Sequence, residues 1–263
     1  MPRRLLLLVP LAVSLGLLGP GDAAACGPAT REAVVRRAAT LMPSGLSRQL
    51  KKHIDELVAG ALEGVDPAAP VAALDPGDAD ARLAAALDEA KALLDGRAPF
   101  AAVARALGKA ARAATDLSYA LHDGPPDPRA AGVAPDFCRY VDRKLPKIVF
   151  TFPGYADENL AEGDVAGFAR RVARDARRDY AAVLASYFPP GRARTAADFD
   201  ERSVAFGAAS LESSLALTSV ARSWLFAWHR AGGDLYGTPF LNYDPEGAAA
   251  SPDGTTPPQE KRP

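Results

Sequence analysis

The sequence predicts an all-α fold, a single helical domain, and three observations carry that prediction. Apolar residues recur at intervals of three and four along almost the whole chain, the pattern of helices that each bury one face. No run of alternating β-branched residues is long enough to build a sheet. Of the 263 residues 48% are hydrophobic but only 7% aromatic, so there is apolar mass for one core, built mainly from Ala, Leu and Val. Charge names no partner: 31 Lys and Arg against 32 Asp and Glu leave a net charge of -1, with no overall basic field for nucleic acid or an anionic membrane surface.

The N-terminus reads as an address. Arg3 and Arg4 precede an apolar run from Leu5 to Leu18, and Ala23-Ala24-Ala25 then stand before Cys26. This order of charge, apolar stretch and small residues is that of a secretory signal peptide over residues 1–25, so the protein is expected to be exported to the periplasm, the medium or the outer envelope. The run contains Pro10 and is shorter than the roughly 20 residues that cross a bilayer, and no transmembrane segment is expected after cleavage. Cleavage after Ala25 makes Cys26 the first residue. A lipidated Cys26 is the alternative, although Ala23 stands where that processing favours a larger aliphatic residue.

Each helix then follows from its apolar spacing and its stops. The first spans about Arg31 to Leu41 and ends before Met42-Pro43, because the residue ahead of a proline avoids helical angles. The second follows Ser44 and runs to near Gly64, with Leu46, Leu50, Ile54, Leu57, Val58 and Ala61 as its stripe and His53 at the edge. A loop rich in Pro, Gly and Asp (66–78) leads to a helix carrying Leu83, Leu87, Ala90 and Leu94, stopped by Gly96. Pro99 opens the next, with Val103, Leu107, Ala111 and Ala114 inward and an end at His122-Asp123-Gly124-Pro125-Pro126. A shorter helix spans Asp136 to Leu145, and Ile148 to Phe152, too short for a sheet of its own, is expected to be an extended loop. Val165 through Tyr187 forms one long helix closed by Pro189-Pro190. The last spans Asp198 to Ala231, with Leu211, Leu215, Trp224, Leu225 and Trp228 inward and Gly232-Gly233 as its cap. The helical domain is thus residues 26–233, and the Pro- and Gly-rich tail 234–263 is expected to be disordered.

The order of these pieces and several short stretches resemble the zinc-dependent bacterial phospholipase C family, whose helical fold is shared with single-strand-specific secreted zinc nucleases. The best stretch is Leu107-Gly108-Lys109-Ala110-Ala111-Arg112-Ala113-Ala114-Thr115-Asp116-Leu117-Ser118-Tyr119-Ala120-Leu121-His122, which is similar to a family block whose His, Asp and His are zinc ligands. The segments Leu41-Met42-Pro43, Lys51-Lys52-His53-Ile54 and Val65-Asp66-Pro67, and the closing Ser223 to Gly232, resemble further family stretches. The resemblance implies that Asp66, Asp116 and His122 stand at metal-ligand positions, with Asp136 near a fourth and Asp66 the candidate catalytic residue. It also places Arg31 and Arg112 where the family has histidines. Three zinc ions need about four ligands each, and arginine is always protonated and cannot ligate, so most of that site is lost here.

Arg112 and Asp116 lie four apart on one helix and can pair, and Arg31 reaches the same carboxylate if the first helix docks as in the family. Ion pairs would then stand in for metal, and loss of Arg112 would destabilise the fold strongly. The only cysteines, Cys26 and Cys138, fall on segments that the family brings beside its metals, so the resemblance implies a Cys26–Cys138 disulfide, in competition with lipidation of Cys26.

Other residues read more simply. His53 and His229 are a core-edge and a surface residue, Trp224 and Trp228 pack in the core, and the arginines from Arg170 to Arg178, interrupted by Asp175, form a solvated face. The expected function is that of an exported phospholipase C-like pseudoenzyme. One alternative is a phosphodiester or phospholipid hydrolase that uses one or two zinc ions. The other is a lipid-anchored helical binding protein of the envelope.

Overall fold

Caps and prolines decide where the helices begin. In the computed structural model, which describes residues 27–64, 76–122 and 127–241, α1 spans Pro28–Leu41, one turn earlier than expected, because Pro28 at the first position already holds a helical φ. The stretch expected as one second helix is two: α2 (Ser44–Lys52) and α3 (Ile54–Ala61) are separated by His53 at φ -111 and ψ 38. Leu46, Leu50, Leu57 and Ala61 are buried, while Ile54 and Val58, next to the bend, are only partly covered. α4 spans Pro76–Asp95, and its left-handed terminal residue is Arg97 at φ 52, not the Gly96 that the sequence offered.

α5 (Phe100–Leu117) is the central helix, buried from Val103 to Leu117 except for short exposed edges, and it leads through Ser118 into a 3-10 turn at Ala120–His122. α6 spans Pro128–Lys144 and begins two turns before the expected Asp136. Its start is set by Asp127, whose side chain accepts from the Arg129 N–H at 2.9 Å, and by Pro128, and the helix continues through Pro135. Residues 148–153 form the extended loop expected, and among the described residues there is no strand. The helix expected from Val165 to Tyr187 is broken: α8 (Val165–Ala176) and α9 (Tyr180–Tyr187) flank a 3-10 turn, and the short α7 (Glu158–Glu162), capped by Asp157, precedes them.

α10 (Val204–Arg230) packs on α1 and α5 and is the longest of the described helices. Its inward face matches the expected one in part: Trp224 and Leu225 are buried as expected, and the other three residues are not. Leu211 is 62% exposed and Leu215 and Trp228 are partly covered, while Ala205, Ala209, Ser213, Ala216, Val220 and Trp224 face the bundle. Small side chains let the helices approach, so bulk is a poor guide to the inside here. α10 is the one described helix long and apolar enough to cross a bilayer, and 61% of its apolar window is buried within the fold, as in a core helix. Residues 234–241, expected to begin the tail, are tied back: the Trp228 indole N–H donates to Asp234 O at 2.7 Å, and the Ser44 N–H to Tyr236 O at 2.9 Å.

Two glycines set the spacing at the centre. A Cβ on Gly108 of α5 would stand 2.2 Å from Leu57 O, and one on Gly60 of α3 would stand 2.1 Å from Arg105 O, so backbone meets backbone where these helices cross. Trp224 then fills the other side of α5, donating its indole N–H to Leu107 O at 2.8 Å. Alanine ordinarily stabilises a helix interior relative to glycine by about 1 kcal/mol. At Gly108 the sign should reverse: Gly108→Ala should lower stability by about 1–3 kcal/mol through overpacking, read by urea denaturation.

Candidate functional site

α1, α5 and α6 converge on a buried group of charges. Arg31 of α1 is fully covered, its Nη2 donates to Asp116 Oδ1 of α5, and its Nη1 reaches Arg112 O at 3.5 Å. Asp116 is also fully covered. Arg112 approaches its other oxygen, with Nε 4.0 Å from Asp116 Oδ2, and donates through Nη1 to Glu63 O at the end of α3. The three residues singled out as an ionic replacement for metal therefore meet, but the direct buried bond belongs to Arg31. Arg112 stands farther off, with 13% of its side chain exposed.

Asp142 of α6 was not singled out from the sequence. It accepts from Thr30 N at 3.0 Å and from Thr30 Oγ1 at 2.5 Å, so a carboxylate on another helix caps the first turn of α1, where the positive end of the helix dipole lies. Gly27 leaves room for it, since a Cβ there would lie 1.8 Å from Asp142 Oδ2. Burial pushes the Asp142 carboxyl above its ordinary value, against the pull of Thr30, Ala29 and Arg31. The available signal was Gly27-Pro28, a helix start without a capping side chain of its own.

Asp136, by contrast, does not join this group. It accepts from Ala196 N at 2.7 Å and pairs with Arg139 at 3.5 Å, so it caps a neighbouring 3-10 turn (Ala196–Asp198). It lies six residues from Asp142 and so on a different face of α6. Asp66 and Cys26 lie outside the described residues, as does the side chain of His122, whose backbone closes the 3-10 turn after α5. Cys138 is buried on α6, one turn from Asp142.

This arrangement does not fit a zinc cluster. Two of the positions where the resemblance expects imidazoles hold guanidiniums, which donate hydrogen bonds and cannot ligate, and one of them occupies an oxygen of the aspartate expected as a ligand. Among the described residues no three His, Cys, Asp or Glu are grouped as a metal ion requires. Beside Arg112 and Asp116 a cavity of about 240 Å³ opens between α3, α4 and α5.

A second buried carboxyl lies beneath the 3-10 turn at the end of α5. Glu212 of α10 is 1% exposed; its Oε1 accepts from Ala120 N at 3.3 Å and its Oε2 has no hydrogen-bond partner. Burial pushes its pKa well above the ordinary 4.5, and Asp179 and Cys138 push the same way against the pull of Ala120 N–H. Next to it Tyr119 Oη and Ser213 Oγ lie 3.3 Å apart, so the break after α5 rests on a polar patch of α10.

Two outcomes follow from these charges. Arg31→Ala should lower stability by about 3–5 kcal/mol, because it leaves Asp116 buried without its main partner. Arg112→Ala should cost about 1–2 kcal/mol, and the double change Arg31→Met with Asp116→Leu should recover most of the Arg31→Ala loss, all read by urea denaturation. The second concerns pH. The folded state holds the Glu212 proton above pH 4.5, where the unfolded chain releases it, so its stabilising effect is complete below that value and is lost as pH rises through the elevated folded pKa. Glu212→Gln should flatten this fall and be the more stable form at about pH 8, measured as unfolding free energy against pH.

No protein-family model matches the chain, and no curated protein matches it.

Proposed function

We propose that this chain is an exported, non-catalytic relative of the zinc-dependent phospholipase C family, a pseudoenzyme in which a buried arginine–aspartate group stands where those enzymes bind zinc. One observation carries the reading: the Arg31 guanidinium, at a position where the resemblance expects a ligand histidine, is bonded to Asp116, at a position where it expects a ligand aspartate. A guanidinium supplies the positive charge that a metal would, and so keeps the carboxylate satisfied inside the helical bundle. It does not lower the pKa of a bound water to make a nucleophile, which is the step that zinc contributes to phosphodiester hydrolysis. The signal-like N-terminus supports export, and the single-domain helical architecture agrees with the scaffold the resemblance implies.

The test is zinc per chain by elemental analysis of protein made in zinc-supplemented medium without chelator, together with hydrolysis of a model phosphodiester and of phospholipid vesicles. The expected result is essentially no zinc and no chelator-sensitive hydrolysis. Two or more ions per chain with chelator-sensitive hydrolysis would overturn the reading in favour of a metal-dependent hydrolase built on Asp66, Asp116 and His122.

A further inference from the structure

We propose that the groove between α7, the C-terminal turns of α10 and residues 235–241 binds a carboxylate carried on an apolar body, with the walls covering the body and the Arg222 guanidinium holding the carboxylate. The groove shares no lining residue with the Arg31–Asp116 group, and its occupancy does not depend on the relationship proposed above. Its volume, about 360 Å³, falls within the roughly 300–1,000 Å³ of small-molecule sites. At the roughly 30 Å³ that a water takes up in the liquid, this is room for about a dozen heavy atoms.

Leu160 and Ala161 of α7, Leu225 and Phe226 of α10, and Leu235 and Leu241 beyond α10 make the walls apolar. The last of these walls exists because the chain is tied back. Trp228 Nε1 donates to Asp234 O, the Ser44 N–H to Tyr236 O, and Thr238 Oγ1 to Leu235 O at 2.7 Å. Phe240 then meets Phe152 with ring centroids 6.4 Å apart. These contacts hold Phe240 and Leu241, both exposed, beside a hollow and outside the core. A ligand with an apolar body removes part of that surface from water.

Charge sets the polar end. Arg222 is largely buried; Nε donates to Gly154 O at 2.9 Å, Nη1 stands 3.6 Å from Asp157 Oδ2, and Nη2 bonds to no described residue and keeps accessible surface. Asp157 is claimed elsewhere, since Oδ1 accepts from Leu160 N at 3.2 Å and Oδ2 from Arg171 Nη2. Arg171 also meets Asp175, which Arg178 shares, so three guanidiniums face two carboxylates and one positive charge is in excess. Glu158 and Glu162 of α7 are exposed and do not line the groove, and His229 at its exposed rim adds no negative charge. Burial holds the Arg222 guanidinium below its ordinary pKa, and Arg171 pushes the same way against Asp157, as expected of a cation short of a partner. A monocarboxylate matches that single excess charge. A phosphate monoester brings close to two charges into an apolar space, and an amide brings none.

Calorimetric titration of the purified chain with octanoate, phenylbutyrate, octanamide and octyl phosphate tests this. An acid should bind at least about tenfold more tightly than octanamide or octyl phosphate. Arg222→Gln should weaken the acid about tenfold or more and remove its advantage over the amide. Ala161→Trp, at an exposed position on the wall, should fill the groove and abolish binding while circular dichroism shows the fold intact. Binding of octanoate alone would identify a straight chain as the body, and binding of phenylbutyrate alone a ring; either supports the site. Binding by neither acid, equal binding of octanamide or octyl phosphate, or binding unchanged in Ala161→Trp would overturn it, and these comparisons decide the matter even if Arg222→Gln does not fold. None of these outcomes involves zinc, so they count for or against the groove and leave the reading of a metal-free relative to its own test.

Discussion

The buried bond between Arg31 and Asp116 is the constraint around which the rest of the domain is arranged. Both side chains are removed from water, and neither charge is tolerable there without the other. The pair ties α1 to the middle of α5, and the contact from Arg112 to Glu63 O ties the same stretch of α5 to the end of α3. Asp142 then fixes the first turn of α1 from α6, which sets the axial position from which Arg31 reaches inward. A shift of α1 by one residue would move Arg31 by about 1.5 Å along the axis and 100° around it, and the bond would be lost. Register, not bulk, is what this polar centre specifies.

That register depends on a core of small side chains. Ala104, Ala110, Ala111 and Ala114 on α5 and Ala205, Ala209 and Ala216 on α10 are buried, and at Gly60 and Gly108 the backbones of α3 and α5 touch. Close helix spacing brings guanidinium and carboxylate within bonding distance across what would otherwise be a layer of leucine. It also means that a single added methyl at a crossing acts on backbone, which cannot rotate away. Trp224 supplies the opposite device, one large side chain that fills the far side of α5 and spends its only donor on Leu107 O.

The fold class and most of the helices were legible because helical periodicity is a local property. α1, α4, α5 and the extended loop at 148–153 lie within a few residues of their expected places. The misreadings share a cause. The start of α6 was placed at Asp136 although Asp127 and Pro128 already begin it, and part of the face of α10 was assigned by side-chain size where close packing selects alanine and serine. The site was legible in part. Arg31, Arg112 and Asp116 were found through a resemblance in spacing, and they meet. Asp142 was missed because it caps a helix remote in sequence, and Glu212 because a lone glutamate in an alanine- and serine-rich stretch carries no local sign of burial. Asp136 attracted attention as an acid at an approximate family spacing, whereas the geometry gives it to Ala196.

Metal ions and guanidiniums answer the same electrostatic demand but offer different chemistry. Either can neutralise a buried carboxylate and attract an anion into a partly dry cavity. Only the metal also binds a water and lowers its pKa, and so provides both the grip on a phosphate and the nucleophile that attacks it. A guanidinium offers the first of these contributions without the second. Arg112 and Asp116 both belong to the lining of the cavity between α3, α4 and α5, so residues that hold α1 against α5 also border that space. The two oxygens of one carboxylate thus differ: Oδ1 ties α5 to α1, and Oδ2 lies buried without a hydrogen bond, with only the Arg112 guanidinium near it.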